Sequence, residues 1–111
     1  MKEIENYLTA NSEFEEAKAS LARLARLLED VGKRLQSFPE YTHFSNVGEG
    51  GGLPMDIVMS SRSRSYDANE WPTPLDLQKA IGRRFEAKRR AQEAWGAVPA
   101  NLQASLVAPK L

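Results

Sequence analysis

The sequence predicts a mainly α-helical protein: an antiparallel two-helix coiled-coil hairpin with a long, partly β connection and a short C-terminal capping helix. Three observations predict this fold. Apolar residues recur at spacings of three and four over residues 12–38, a second helical pattern covers residues 74–98, and a proline follows each pattern. The two patterns have nearly equal length, as the arms of a hairpin do. A single domain spanning residues 1–111 is expected.

The first predicted helix, residues 12–38, carries a heptad seam. The apolar residues at its a and d positions are Phe14, Ala17, Leu21, Leu24, Leu28, Val31, Leu35 and Phe38. Such a stripe packs against a partner helix through knobs-into-holes contacts. Ser12 and Glu15 have the spacing of a capping box, which indicates a helix start at Ser12. The pattern leaves open whether residues 4–8 form the first turns of this helix or a separate short one.

The connection, residues 39–73, is too long for a tight turn. The segments "YTHFSNV" and "LPMDIVM" flank the glycine-rich "GEGGG", which predicts a β-hairpin over residues 41–60 with a flexible tip. The following "SSRSRS" is typical of a polar linker. The glycines do not indicate a phosphate-binding loop, because they lead into Pro54 and a β-like segment instead of a helix N-terminus.

The second predicted helix, residues 74–98, opens with "WPTPLD". Thr73 is a good N-cap, and the proline after it occupies the first helical position, where proline is tolerated. An antiparallel alignment of the two seams sets Ala17 opposite Trp95, so that a large residue meets a small one. A short helix predicted over residues 100–106 would cap the open end of the hairpin.

Two cations, Arg84 and Lys88, interrupt the apolar stripe of the second helix. One interpretation is that their stems cover leucines while the charged ends reach water, or that they set the register of the coiled coil. The other is that they bind acids of another chain, either a second copy or a foreign protein. With Trp71 and Trp95, a residue type enriched at interface hot spots, they are the candidate partner-binding residues; burial of both tryptophans is the alternative.

The second helix also lies in the most basic part of the chain. Residues 74–111 hold seven bases and three acids, although the whole chain has 15 of each. The candidates for contact with a polyanion such as nucleic acid are Lys79, Arg83, Arg89 and Arg90. A solvated outer face is the alternative interpretation, and no helix-turn-helix, zinc module or aromatic platform accompanies these residues.

Catalytic and metal-binding patterns are missing from the sequence. His43 is the single histidine, no nucleophile motif is recognisable, and there is no cysteine. We therefore expect a non-enzymatic protein without cofactor or metal. The first residues lack the apolar core of a signal peptide, and no run reaches the roughly 18 apolar residues of a membrane helix. A cytoplasmic protein without membrane association is expected.

The segment "WPTPLDLQ...EAWGAVPANLQASL" resembles the C-terminal portion of short uncharacterised helical-hairpin proteins encoded in phages and prophages. The resemblance covers the C-terminal third of the chain. It implies no activity and no functional residue, but it keeps a phage-type inhibitor, adaptor or accessory role open. The residues that carry it are Trp71, Pro72 and Thr73 at the start of the helix and Trp95, Val98 and Pro99 at its end.

The sequence therefore predicts a non-enzymatic protein-binding module that acts through the faces of the helical hairpin and through residues 39–73. Self-association as a homodimer is expected, because a small elongated helical domain buries little surface on its own. The sequence does not identify a protein partner. A nucleic-acid-associated accessory protein that uses the basic second helix is the alternative.

Overall fold

Helices dominate the computed structural model, which describes residues 2–47 and 53–111. The elements in chain order are α1 (Lys2–Ser37), a 3-10 turn (Pro39–Tyr41), β1 (Thr42–Ser45), α2 (Met55–Val58), β2 (Arg64–Asp67), a second 3-10 turn (Ala68–Glu70), α3 (Pro74–Ala97) and α4 (Ala100–Gln103). The predicted mainly α-helical class is confirmed. The glycine-rich tip expected at residues 48–52 lies outside the described residues.

The chain divides into two compact units, and α1 contributes residues to both. Unit 1 comprises Met1–Arg23 and Pro74–Leu111, and unit 2 comprises Leu24–Thr73. Each unit has its own fully buried side chains, with Phe14 in unit 1 and Val31 in unit 2. The chain thus has two centres of packing, and the single domain stays a prediction.

The first helix begins well before the position that the sequence indicates. α1 starts at Lys2, so Ser12 and Glu15 lie in the helix interior and do not cap its start. Burial explains the extension, because Tyr7 lies one heptad before Phe14 and both side chains are fully buried. Two acids in the first turn also favour this start through the helix dipole. A capping box is a local signal, and the packing of Tyr7 outweighs it.

The heptad seam of α1 is buried unevenly. Phe14, Ala17 and Val31 are fully buried, whereas Leu35 and Phe38 are 49% and 50% exposed. A coiled coil that followed the whole predicted seam would bury the last two side chains as well. The observed packing therefore covers only part of the predicted stripe.

In unit 1, the core forms where α1 contacts α3. Phe14 and Ala17 of α1 cluster with Ala87 and Ala91 of α3. Alanine at three of the four positions leaves room for one large ring, as close packing requires. The Phe14 ring is therefore enclosed by small side chains from both helices.

Trp95 has a different partner from the one that the predicted alignment assigns to it. Its ring lies against that of Tyr7, with 4.9 Å between the centroids and an angle of 53° between the planes. The alignment places Ala17 there, about three helical turns farther along α1. The predicted alignment is wrong because it assumes that the helix starts at Ser12. Tyr7 then lies outside the seam and is not considered as a partner of Trp95.

Unit 2 contains a two-stranded parallel sheet in which β1 pairs with β2. The register sets Phe44 beside Tyr66, and their ring centroids are 6.0 Å apart. The Tyr66 hydroxyl donates a 2.6 Å hydrogen bond to Asp30 of α1, and Arg64 lies 3.6 Å from the same carboxylate. These contacts attach the second strand to α1 within unit 2.

The β-hairpin predicted over residues 41–60 is replaced by a different arrangement in the described residues. α2 occupies Met55–Val58, where the second strand is expected. Pro54 takes the N-cap position of this short helix, where its missing amide hydrogen costs nothing. β1 pairs instead with β2, which begins inside the predicted polar linker, and a parallel pair needs a long connection of this kind.

The helix that follows α3 is shorter than predicted, covering Ala100–Gln103 and not residues 100–106. The side-chain Nε2 of Gln103 donates to the backbone oxygens of Trp95 and Val98, at 2.9 and 3.2 Å. Carbonyl groups at the C-terminal end of a helix have no partner within it. α4 therefore satisfies two backbone acceptors at the end of α3.

Candidate functional site

Two cations lie over the buried ring of Phe14 in unit 1. Lys18 Nζ is 4.5 Å from the ring centroid, and Arg84 Cζ is 5.6 Å from it. Lys18 comes from α1 and Arg84 from α3, so each helix supplies one cation. This geometry is favourable because the face of an aromatic ring attracts positive charge. It gives a physical reason for a cation in the apolar stripe of the second helix.

Residues 107–111, termed the strap, are held at this site through main-chain atoms. Three side chains of α1 and α3 donate hydrogen bonds to backbone oxygens of the strap: Tyr7 to Val107, Lys18 to Lys110 at 2.7 Å, and Arg84 to Leu111 at 3.2 Å. Lys18 also forms a 2.7 Å ion pair with Glu15. Donors from α1 and α3 therefore converge on a stretch of five residues.

The strap gives Arg84 a partner that the sequence does not indicate. The sequence predicts that Arg84 either covers leucine with its stem or meets an acid of another chain. In the structure it is half-buried, lies over Phe14 and donates to the strap. Lys88, the second cation of the stripe, is also half-buried. It follows Ile81 by one heptad, so these two residues lie on the same side of α3.

The two candidate tryptophans belong to different units. Trp71 is half-buried in unit 2, where its ring stands edge-on to Phe44 with 5.5 Å between the centroids. Trp95 is half-buried in unit 1, against Tyr7. Each ring thus contributes to packing inside its own unit. Three of the four predicted partner-binding residues lie on α3 in unit 1: Arg84, Lys88 and Trp95. The fourth, Trp71, precedes α3 and belongs to unit 2.

Acids of the same chain pair with the basic residues near the end of α3. Arg89 forms ion pairs with Glu86 and Glu93, and Arg90 lies 3.4 Å from Glu86. The hydrogen bond from Arg89 holds the pKa of the Glu86 carboxyl below its ordinary value. The bonds to both glutamates in turn raise the pKa of Arg89. These charges therefore form a neutralised network on the helix surface.

Arg83, a third polyanion candidate, lies 3.8 Å from Glu16 of α1, whereas Lys79 is exposed. Arg83 also lines an open surface groove of unit 1, whose other lining residues are Glu13, Glu16, Glu86, Ala87 and Arg90. Acids outnumber bases in this groove. The four candidates consequently do not form a surface of uniform positive charge, which a field that attracts polyanions requires.

Tyr7 joins the strap to the core, and its ionisation is disfavoured. Burial, with a smaller contribution from the carboxylate of Glu15, raises the pKa of the Tyr7 hydroxyl above its ordinary value. The folded state therefore favours the protonated hydroxyl, which is the form that donates to Val107. Its contribution to stability is complete below pH about 10, the ordinary pKa of tyrosine, and falls as the pH rises through the folded-state pKa.

Replacing Tyr7 by phenylalanine should lower the free energy of unfolding by about 0.5–1.5 kcal/mol at neutral pH, because one hydrogen bond is lost. The difference in the free energy of unfolding between the two chains should then become smaller above pH about 10. In this range ionisation of the buried hydroxyl destabilises the unmodified chain, whereas the variant has no hydroxyl to ionise. Urea unfolding followed by circular dichroism at several pH values measures both effects. A difference that stayed constant through this range would contradict the assigned role of the hydroxyl.

The single histidine has the features of a packing residue. His43 is half-buried on β1, and its Nε2 atom is enclosed without a hydrogen-bond partner among the described residues. Within residues 2–47 and 53–111, no group of three or more His, Asp or Glu side chains could hold a metal ion.

No protein-family model, curated protein or solved structure matches this chain. The resemblance of the C-terminal third to phage and prophage proteins therefore stays a prediction. In the part of the chain that the structure describes, no helix is both long and apolar enough to cross a membrane.

Sequence reasoning missed Tyr7, Lys18 and the strap as parts of the site. Tyr7 has a usable signal, because it precedes Phe14 by one heptad and so continues the seam of α1. Lys18 has no such signal, since a lysine beside an apolar seam is ordinary on a helix surface. The strap has none either, because every residue carries the same main-chain oxygen.

Proposed function

We propose that the chain is a non-enzymatic protein-binding module that self-associates through an exposed apolar face of its second long helix. This surface, the α3 apolar face, consists of Leu77, Ile81 and Phe85. The three residues follow each other at intervals of four, so they lie on one side of the helix. Ile81 is 47% exposed and Phe85 is 68% exposed. Leu77, at the start of the row, is half-buried. The two exposed side chains that follow it are the observation that carries the proposal.

A second copy of the chain is the partner that best fits the α3 apolar face. The formal net charge is zero, so two copies do not repel each other at neutral pH. In a two-fold dimer the same surface meets itself, and an apolar row is self-complementary without any matching of charges. A small domain also gains buried surface from association that it cannot gain alone.

The antiparallel coiled-coil hairpin belongs to the same proposal. Tyr7, near the start of α1, contacts Trp95, near the end of α3. Glu16, farther along α1, lies near Arg83, which is earlier in α3. The order of contacts is thus opposite along the two helices, which supports an antiparallel arrangement within unit 1. An adaptor, inhibitor or accessory protein would present helical faces of this kind to its partner.

Analytical ultracentrifugation tests the proposed self-association. We expect the unmodified chain to sediment with the mass of a dimer at micromolar concentration. Replacing Phe85 by glutamate should weaken the dimer by roughly 100- to 10,000-fold, because the side chain is lost from both copies and burying each one contributes about 1.5–3 kcal/mol. An unpaired carboxylate in the interface adds to the loss. The helical circular dichroism of the variant should remain unchanged, since Phe85 is exposed in the single chain.

Met59→Glu is the matched control for this variant. Met59 is 75% exposed but lies in unit 2, away from α3 in the sequence. Its replacement introduces the same charge at another exposed apolar residue, and the dimer should persist. A monomeric mass for the unmodified chain would refute self-association. Equal weakening by the two variants would instead refute the assignment to the α3 apolar face.

The nucleic-acid alternative has less support than self-association. Arg83, Arg89 and Arg90, three of its four candidate residues, are paired with acids of the same chain. A phosphate backbone would have to displace these carboxylates before it could bind the arginines, so part of the electrostatic gain would be lost. The mixed charge of the neighbouring groove acts in the same direction.

A further inference from the structure

The three hydrogen bonds that hold the strap do not involve its own side chains. The donors on Tyr7, Lys18 and Arg84 all bind its backbone oxygens. Val107 and Leu111 are 71% and 60% exposed, so their side chains add little buried apolar surface. Recognition through the main chain depends on the path of a segment and not on its sequence, as in other complexes that bind extended peptides.

The groove that holds the strap has an unused polar group. This strap groove is formed by four residues of α1 and α3: Tyr7, Asn11, Lys18 and Arg84. Asn11 Oδ1 is buried and has no hydrogen-bond partner among the described residues. Asn11 also lines a cleft of about 240 Å³, whose other lining residues are Glu15, Val107, Ala108 and Lys110.

A short connection joins the strap to α4. The side chain of Gln103 ties α4 to the last turn of α3. Residues 104–106 therefore link an anchored helix to a segment that is held mainly by three hydrogen bonds. A segment held in this way can be exchanged between copies, because the same atoms meet in the exchanged form. Each of the three bonds to the strap is retained when the strap comes from another chain.

The strap groove also borders the α3 apolar face. Arg84 of the groove follows Leu77 of the face by one heptad and Ile81 by three residues, so these side chains are neighbours on α3. A second copy that docks on the face is therefore placed beside the groove. We propose that each copy in the dimer inserts its strap into the strap groove of the other copy. This inference rests on the proposed self-association and names the segment that each copy contributes.

Crosslinking between chains tests the exchange directly, because the natural sequence contains no cysteine. One full-length chain carries an affinity tag and Asn11→Cys, and an untagged chain carries Ala108→Cys; both positions line the same cleft. The chains are mixed, equilibrated and treated with a short bis-maleimide. The tagged–untagged product should form about tenfold faster than in a control mixture, because contact gives the two thiols a high effective concentration. In the control, Ala97→Cys, at an exposed position of α3, replaces Ala108→Cys.

A second pair of variants keeps the test valid if the Asn11→Cys chain does not fold. Glu15→Cys, at another residue of the cleft, replaces Asn11→Cys in that pair. Formation of the mixed product at the control rate in both pairs would overturn the exchange. If the unmodified chain then had a dimeric mass, self-association would stand without the exchange. A monomeric mass would refute both.

Discussion

Replacing Phe14 by alanine is expected to lower the free energy of unfolding by about 3–5 kcal/mol, the usual cost of removing a buried aromatic side chain. The ring is fully buried and is the large member of a cluster with Ala17, Ala87 and Ala91. Alanine side chains cannot extend into the space that the ring would leave, so a cavity remains. The loss is a large part of the roughly 5–15 kcal/mol that stabilises a typical domain.

Urea unfolding followed by circular dichroism measures this loss. Phe85→Ala is the matched control, because it removes the same side chain from an exposed position of α3. We expect the control to change the stability by less than about 0.5 kcal/mol when measured at a concentration at which the chain is monomeric. Phe14→Ala also removes the ring that Lys18 and Arg84 cover. Equal losses for the two phenylalanines would contradict the packing described for Phe14.

Enlarging Ala17 to leucine is expected to destabilise the chain by about 1–3 kcal/mol. Ala17 is fully buried beside Phe14, in the cluster that includes Ala87 and Ala91. The added carbon atoms have no space there, so either the two helices move apart or the leucine takes an unfavourable rotamer. This substitution tests close packing between α1 and α3 by adding volume, whereas the change at Phe14 removes it.

Ala19 offers a control on the same helix. It lies two residues after Ala17 but is exposed, so Ala19→Leu adds the same atoms without entering the core. Its effect on stability should be within about 0.5 kcal/mol, since alanine and leucine have similar helix propensities. If Ala17→Leu unfolded at the same urea concentration as Ala19→Leu, the helices would not be closely packed at this position.

Helix boundaries that depend on local chemistry could be predicted from the sequence. α3 starts at Pro74, directly after Thr73, and α1 ends at Ser37, ahead of Pro39. Proline restricts the backbone within one or two residues of its own position, so a short stretch of sequence is enough to predict the helix boundary. The start of α1 is different, because it depends on the burial of Tyr7 against a residue far away in the sequence. A local capping pattern cannot report such a contact.

The pairing of β1 with β2 could not be predicted from local patterns. Two short strand-like segments on either side of glycines favour a hairpin between neighbours. The structure instead attaches β2 to α1 through Asp30, which accepts a hydrogen bond from Tyr66. Contacts between segments so far apart determine the register, and the strand pattern alone does not contain them.

The sequence indicates the candidate site through Tyr7, one heptad before Phe14, and through Arg84, a cation in an apolar stripe. The sequence does not indicate the two partners of Arg84, a ring on the other helix and a main-chain oxygen of the strap. The heptad pattern predicts only that the ring of Phe14 lies in the seam, and the sequence makes no prediction for residues 107–111. Their meeting is a property of the tertiary packing, which brings Tyr7, Lys18 and Arg84 to the same segment.

The way in which the strap is held has a consequence for evolution and for engineering. Because the contacts reach carbonyl oxygens, related proteins can diverge at almost every side chain of residues 107–111 and still keep the segment in place. The three hydrogen bonds to the strap require only that the donor side chains of Tyr7, Lys18 and Arg84 are kept. The same freedom makes the strap a suitable position for grafting a foreign epitope, which the protein would display on its surface.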